Sequence, residues 1–299
     1  KPDLIVFNTN QCREVADWFS YFGREFDCPV LGVYPPRHLE KVTKADIEHV
    51  SQQFQDLIDL GEKIIGKTMD MDQLKHVLDL SKTGTQLWQN VLETAQQYPA
   101  PLTFFDSCIL MAPIVILRGT SECVDFYNQL LVELKSRLKT GFAAVPNEQV
   151  RIYWEGMPIW GRLRSLSDLF AENGAAVVSS TYCNSWIFDD FNSQNPIDSM
   201  ASAYTKIFIN RGENAKLALV KKQLTDFAVD GVIFHDSKTC FNNTNSRFGL
   251  PQRVRDEMGI DTLAIDGDLN DLRFFSDGQS KTKIETFIEQ LKEKKPSLL

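Results

Sequence analysis

The stretch that decides the fold reads Gly-Val-Ile-Phe-His-Asp-Ser-Lys-Thr-Cys over residues 231–240 and continues into an asparagine-rich segment, 241–250. Its first four residues are apolar and predict a buried parallel strand. Polar residues follow at once, and a helix is predicted from Pro251 to Glu257. Ligands of open α/β sheets bind beyond the carboxyl ends of the strands. Cys240 is therefore expected where chemistry occurs, and not where packing occurs.

The same alternation of strands and helices extends outward from this stretch. In the second half, the predicted strands are Val150–Trp154, Ala175–Ser179, Gly231–Phe234 and Thr262–Asp266, and the predicted helices are 163–173, 196–210, 213–226, 250–258 and 282–292. Near the start, strands Asp3–Asn8 and Pro29–Tyr34 flank a helix, Arg13–Phe26. Such alternation predicts parallel sheets. The expected fold class is α/β, with two doubly wound parallel-sheet domains facing a cleft and a helical region between them.

The helical region follows the first predicted sheet. Residues 43–98 have a helical period, residues 102–117 are apolar and fit either a helix or a strand, and residues 121–139 form a further amphipathic pattern. Gly141 and Pro146 make 140–148 the best linker. The expected domains are therefore 1–145, which includes the helical region, and 146–299.

Composition excludes several classes of protein. The net charge of −8 argues against a nucleic-acid or anionic-membrane partner, and no apolar run approaches the length that spans a bilayer. Six cysteines with irregular spacing favour reduced thiols in a cytoplasmic protein. The chain opens with Lys-Pro-Asp and runs directly into a strand, so we expect its beginning to be missing.

Three cysteines fall just past predicted strands, namely Cys12, Cys183 and Cys240. Thiolates from distant parts of a chain that meet in one cleft suit an iron–sulfur cluster or zinc. No two of the three are close in sequence, so spacing leaves open the alternative that these are buried, inert thiols.

Polar residues around Cys240 are candidates for acid–base chemistry and for binding. His235 is placed to move a proton near neutral pH, or to bond local backbone. Ser237 and Lys238, with Asn242 and Arg247 beyond, form a dense set of donors for an anionic or carbonyl group. The alternative is a loop whose side chains cap its own backbone.

Two tryptophans and an acid follow the strand that begins at Val150. Trp154, Glu155 and Trp160 could form the wall of an aromatic or acyl pocket, or belong to ordinary core and turn packing. The chain has neither a Gly-x-Gly-x-x-Gly motif after a strand nor a Gly-Lys-Ser/Thr phosphate loop, so any ATP dependence is expected to come from another protein.

Several of these motifs together resemble the benzoyl-CoA reductase and 2-hydroxyacyl-CoA dehydratase family. They are Phe-His-Asp-Ser-Lys-Thr-Cys at 234–240 with its asparagine-rich continuation, Asn-Thr-Asn-Gln-Cys at 8–12, Arg-Gly-Thr at 118–120, Glu-Gly-Met-Pro-Ile-Trp at 155–160, and Asp-Gly-Asp at 266–268 with Arg-Phe-Phe at 273–275. They occur in the family's order over nearly the whole chain.

The resemblance implies a site and a set of partners. A [4Fe–4S] cluster would be held by three cysteines, with Cys12 as the second ligand, Cys240 as the third and the first upstream of Lys1. Cys183 would belong to the substrate pocket, and it is the alternative to Cys240 as the third thiolate ligand.

The resemblance also implies a heterodimer with a related subunit and a separate ATP-hydrolysing iron–sulfur activator protein. The acyl-CoA substrate would pass through a ketyl radical anion. Benzoyl-CoA ring reduction is the first expectation. The alternatives are dehydration of a 2-hydroxyacyl-CoA, a non-catalytic subunit that relays electrons or completes the assembly, and a metal-free α/β protein that binds small molecules.

Overall fold

The computed structural model describes residues 1–295, apart from the side chain of Phe248. The last four residues of the expected second domain, 296–299, lie outside this part. The strands are β1 (Ile5–Asn8), β2 (Val30–Val33), β3 (Val150–Glu155), β4 (Ala175–Ser180), β5 (Gly231–Ser237) and β6 (Asp261–Gly267). The helices are α1 (Arg13–Glu25), α2 (Lys44–Ile65), α3 (Met71–Glu93), α4 (Phe104–Leu110), α5 (Ala112–Ile116), α6 (Ser121–Thr140), α7 (Leu163–Glu172), α8 (Thr181–Asn184), α9 (Pro196–Lys206), α10 (Glu213–Asp226), α11 (Leu250–Met258) and α12 (Asp277–Lys294). The predicted α/β class is confirmed.

The two sheets are both parallel, and they differ in size. In the described residues, β1 pairs with β2 alone, while the second sheet has the order β4-β3-β5-β6. The expectation of two doubly wound sheets is therefore met only in the coarser sense that both sheets are parallel. Every residue of β3 and β4 is buried, as expected for strands covered on both faces.

The helical region begins with two long helices separated by a short turn. Thr43 and Asp46 form a capping box at the start of α2, and Gly66 ends the helix in the left-handed conformation. The Asp70 carboxylate accepts backbone N–H bonds at the start of α3. The segment 102–117, ambiguous in the sequence, forms the two short helices α4 and α5.

One continuous core joins the helical region to the four-stranded sheet. Trp88 of α3, Phe104 and Phe105 of α4, and Trp154 of β3 are all buried in it. The rings of Phe104 and Trp154 are stacked with 5.4 Å between centroids. Helices on the N-terminal side of the 145/146 boundary thus share a core with strands on the other side, and the division into two domains stays a prediction.

A buried ion pair fastens this junction. Arg151 Nη1 lies 2.6 Å from Glu148 Oε1, and both side chains are almost fully buried. The same guanidinium donates to the carbonyl oxygens of Ala95, Gln97 and Phe227. All its polar contacts are therefore within the protein, as a buried charge requires.

Polar contacts join the loop before Cys12 to α9 and the turn that follows it. Asn10, which is buried, donates from Nδ2 to Asn210 Oδ1 at 2.9 Å and accepts from the Tyr204 hydroxyl at 3.1 Å. The predicted helix 196–210 ends at Lys206, and a short 3-10 turn that includes Asn210 follows. Among residues 1–295, no helix combines the length and the apolar character needed to cross a bilayer.

Candidate functional site

The four-stranded sheet has its switch of strand order between β3 and β5. The chain crosses from β3 to β4 on one side and later to β5 on the other, so a crevice opens at the carboxyl ends of β3 and β5. Glu155 ends β3 and Ser237 ends β5, and both side chains are buried. The crevice is therefore lined by polar side chains of the two central strands.

Cys12 and Cys240 meet at this edge, and we call them the cysteine pair. Cys12 is the N-cap residue of α1, at the end of the short loop after β1, and Cys240 lies in the loop after β5. The Cys12 thiol donates a hydrogen bond to the Cys240 sulfur, which raises the pKa of Cys12 and lowers the pKa of Cys240. Asn243 also donates to Cys240 and favours its thiolate. The thiolate of Cys240 is thus stabilised in a buried position.

Two side chains hold the loops of the cysteine pair together. Asn242 Nδ2 donates to the Gln11 carbonyl oxygen at 2.7 Å, and its Oδ1 accepts from Arg37 Nη1 at 3.0 Å. Arg37 also donates to the Thr9 carbonyl oxygen. Asn242, predicted as a substrate-binding residue, therefore bridges the two loops in this structure.

Asp268 holds the Cys240 loop from the other side. Its Oδ2 accepts from the backbone N–H of Thr239 at 2.8 Å, from the Thr239 hydroxyl at 2.6 Å and from Ser237 Oγ at 3.3 Å. Asp268 is 2% exposed. Its individual role was not predicted, since it entered only as part of a motif, and the signal that could have found it was an acid directly after the last strand.

Glu155 is the buried carboxyl group of the crevice. Asn245 Nδ2 donates to Oε1 at 2.6 Å, and the Thr181 hydroxyl donates to Oε2. Lys216 Nζ donates to the other end of the same amide, Asn245 Oδ1, at 2.9 Å. Burial raises the pKa of Glu155 to about 7, although both hydrogen bonds and the Lys216 charge oppose the rise. The carboxyl group can therefore gain or lose a proton near neutral pH.

His235, predicted to be catalytic, lies in the interior. Its Nδ1 donates to the Met157 carbonyl oxygen at 2.7 Å, which leaves Nε2 as an acceptor. Among the described residues Nε2 has no hydrogen-bond partner. Burial lowers the pKa of His235 and so favours the neutral ring. In this structure the His235 side chain connects β5 to the turn after β3.

The other charged candidates form ion pairs beside β5. Lys238 Nζ lies 3.1 Å from Asp236 Oδ2 and 2.5 Å from Asp266 Oδ1. Arg247 Nη2 lies 2.6 Å from Asp236 Oδ1. These contacts raise the pKa of Lys238 despite partial burial, so the side chain is a cation.

The predicted pocket residues divide between core and surface. Trp154 is fully buried and donates from Nε1 to the Met157 carbonyl oxygen at 3.0 Å. Cys183 is buried with its sulfur against the Cys108 thiol. Trp160 is partly exposed and meets the Tyr182 ring edge-on at 6.4 Å. A role of these residues in substrate binding stays a prediction.

Comparison with known proteins places the chain in a family. The sequence model of the 2-hydroxyglutaryl-CoA dehydratase D-component matches residues 1–291. This chain belongs to that family. The resemblance deduced from its motifs is thereby confirmed.

Relatives of this dehydratase family chain include components of two kinds of enzyme. It is 28% identical over 297 residues to the (R)-2-hydroxyisocaproyl-CoA dehydratase alpha subunit of Clostridioides difficile, covering 98% of this chain and 72% of that protein. It is 28% identical over 296 residues to the alpha subunit of (R)-2-hydroxyglutaryl-CoA dehydratase from Acidaminococcus fermentans, covering 97% and 60%. It is 24% identical over 308 residues to a subunit of benzoyl-CoA reductase from Thauera aromatica, covering 98% and 71%. The family is thus one of enzyme subunits.

The donor set of this family member fits part of an iron–sulfur site. Two thiols lie in contact through a hydrogen bond, and a thiol that binds a metal gives up its proton. Within residues 1–295 no group of three or more His, Cys, Asp or Glu side chains is arranged around a common metal position. The cysteine pair would supply two ligands of a cluster, and further ligands would come from elsewhere.

Proposed function

We propose that this chain is the iron–sulfur subunit of an enzyme that removes water from a 2-hydroxyacyl-CoA through low-potential electron transfer. The observation that carries the proposal is the cysteine pair, which joins the carboxyl edges of two parallel sheets in a member of the dehydratase family. The names of the family model and of the dehydratase alpha subunits support dehydration.

The cofactor proposed for the site is a [4Fe–4S] cluster held by Cys12, Cys240 and a third thiolate. When bound, such a cluster supplies an electron and an open iron position that acts as a Lewis acid. The protein's own contribution is to fix the ligands and to limit access of water. Asp268 holds the Cys240 loop, while Asn242 and Arg37 hold the two loops together.

Glu155 is the residue we assign to proton transfer in this proposal. It lies at the switch point of the sheet, it is buried, and its pKa of about 7 allows both protonation states at neutral pH. The catalytic roles predicted for His235, Ser237 and Lys238 remain predictions. The contacts of Ser237 favour a positioning role through Asp268.

Ring reduction of benzoyl-CoA is the second candidate function. It is supported by the similarity to the benzoyl-CoA reductase of Thauera aromatica, at lower identity than the similarity to the two dehydratases. Both candidates include a related partner chain, an ATP-hydrolysing iron–sulfur activator protein, an acyl-CoA substrate and a cytoplasmic location. The alpha-subunit names of the relatives support assembly into a complex.

The test is anaerobic purification with the partner chain, followed by assays of 2-hydroxyacyl-CoAs and benzoyl-CoA in parallel with the activator protein. We expect turnover of a 2-hydroxyacyl-CoA. Reduction of benzoyl-CoA alone would establish the second candidate instead. A preparation with iron but no turnover of either substrate would favour an electron-relay subunit, and one without iron a metal-free binding protein.

The cysteine pair is tested separately by counting iron and acid-labile sulfide. We expect Cys12→Ala and Cys240→Ala to lose most of both, because each removes one thiolate ligand. Cys28→Ala, which changes a half-buried cysteine outside the pair, is the matched control. Full iron content in Cys12→Ala would contradict the ligand assignment.

A further inference from the structure

A cavity of about 270 Å³ lies beside the Cys240 loop. Its lining comes from the segment after β2, the residues before and within α10, the asparagine-rich loop and α11. Phe241 and Asn242, which directly follow Cys240, form one wall. A ligand in this cavity would therefore contact the loop that follows Cys240.

Four cationic side chains line the cavity, namely Arg37, Arg211, Lys216 and Arg253. Among the described lining residues, Glu213 supplies the one carboxylate. This concentration of positive charge occurs in a chain with 40 acidic and 32 basic residues. The cavity is therefore locally basic in a chain that is acidic overall.

Two of these cations bind only neutral oxygens within the described residues. Arg211 donates from Nε to the Leu39 carbonyl oxygen at 3.1 Å and from Nη2 to the Glu40 carbonyl oxygen at 3.2 Å. Lys216 donates to Asn245 Oδ1 at 2.9 Å.

Arg37 likewise binds the side-chain oxygen of Asn242 and the carbonyl oxygen of Thr9. In residues 1–295 none of these three cations forms a salt bridge, whereas Arg253 pairs with Glu257. The cavity therefore keeps three cationic charges without direct neutralisation.

Lys216 lies where burial disfavours its charged form. Burial lowers its pKa, and the charges of Glu155 and Glu213 only partly oppose this effect. An anion in the cavity would stabilise the ammonium group. Arginine side chains add paired donors in a plane, which match the oxygens of a phosphate group.

We propose that this cavity binds a diphosphate group, and that the group belongs to the coenzyme A part of the thioester substrate. The proposal rests on the proposed function for the choice of coenzyme A. The diphosphate chemistry rests on the cavity alone. Free pyrophosphate offers the same chemistry, so the experiment must separate the two sources.

The experiment is calorimetric titration of the full chain with coenzyme A, with pantetheine, which has no phosphate, and with inorganic pyrophosphate. We expect coenzyme A to bind, pyrophosphate to compete with it, and pantetheine to bind far more weakly. Lys216→Met and Arg211→Gln should each weaken coenzyme A binding about tenfold or more, because each removes a charge-assisted contact. Neither change should alter the affinity for pantetheine.

The matched control is Lys222→Met, because Lys222 lies on the same helix and outside the cavity. It pairs with Asp226 on the surface and should leave coenzyme A binding unchanged. Circular dichroism of each variant establishes that it is folded.

Unchanged coenzyme A affinity in both cavity variants would overturn the proposal. If the cavity variants weaken pyrophosphate binding but coenzyme A does not compete with pyrophosphate, the cavity does not bind the coenzyme A part of the substrate. Failure of the proposed function would look different: coenzyme A binding would remain sensitive to the variants, while the assembled enzyme would lack iron or turnover.

Discussion

Glu155→Gln is the change that tests the buried carboxyl group most directly. Glutamine has the same shape, its side-chain oxygen can accept from Asn245, and its amide can donate to the Thr181 hydroxyl. That hydroxyl keeps its contact with the Tyr153 hydroxyl at 2.6 Å. The variant therefore removes the titration of Glu155 while it retains the packing.

The pKa of Glu155 fixes the size and sign of the effect. Its ordinary pKa is 4.5, and burial raises it to about 7 in the folded chain. Between these values the folded state holds a proton that the unfolded state has lost, so the free energy of unfolding decreases as pH rises through this window. From about pH 5 to about pH 8 the wild-type chain should lose about 2.5 kcal/mol relative to the variant.

The assay is urea unfolding of both chains over this pH range, with the difference in unfolding free energy plotted against pH. Glu133→Gln on the exposed side of α6 is the control for removal of a negative charge. Three groups lower the pKa of Glu155 against the effect of burial: the Thr181 hydroxyl, the Asn245 amide and the charge of Lys216. A difference in unfolding free energy that does not change with pH would refute the reasoning. A wild-type chain that gains stability relative to the variant as pH rises would show that the folded state lowers the pKa of Glu155 and does not raise it.

Two further changes test the junction and the site. Arg151→Met should lower the free energy of unfolding in urea by about 3–5 kcal/mol, because it leaves the buried Glu148 carboxylate without its cationic partner. The control Arg137→Met, in an exposed ion pair, should lower it by less than about 1 kcal/mol. Equal decreases in the two variants would contradict this account. Asn242→Ala should lower the unfolding free energy by about 1–3 kcal/mol and also reduce iron content after anaerobic purification, since both loops of the cysteine pair lose a shared contact. Full iron content in that variant would show that Asn242 does not position the pair.

The order of elements was predictable because hydrophobic period and turn residues are local signals. Thr43 and Asp70 cap helices, and Gly66 ends one, each through contacts within a few residues. Where local signals fail, the outcome depends on packing. The apolar segment 102–117 became helical because it packs onto β4 and α3. The turn at Asn210 depends on contacts with Asn10, far away in sequence.

The contact between Cys12 and Cys240 was predictable in part. Each follows a parallel strand, but topology offered Cys183 equally, and the family resemblance was needed to single out the pair. The side-chain partners could not be deduced. Asn242 bridges two loops, and Lys238 pairs with acids on neighbouring strands, because of distances that exist only in the fold. The cations of the cavity come from separate segments and form no motif.

The separation of the cysteine pair along the chain bears on how the proposed cluster would be loaded. Cys12 leaves the ribosome long before Cys240, because most of the chain printed above lies between the two residues. During that interval the nascent polypeptide presents one thiol of the pair without the other. A cluster that needs both thiols would therefore be inserted after the two segments have met in the folded chain.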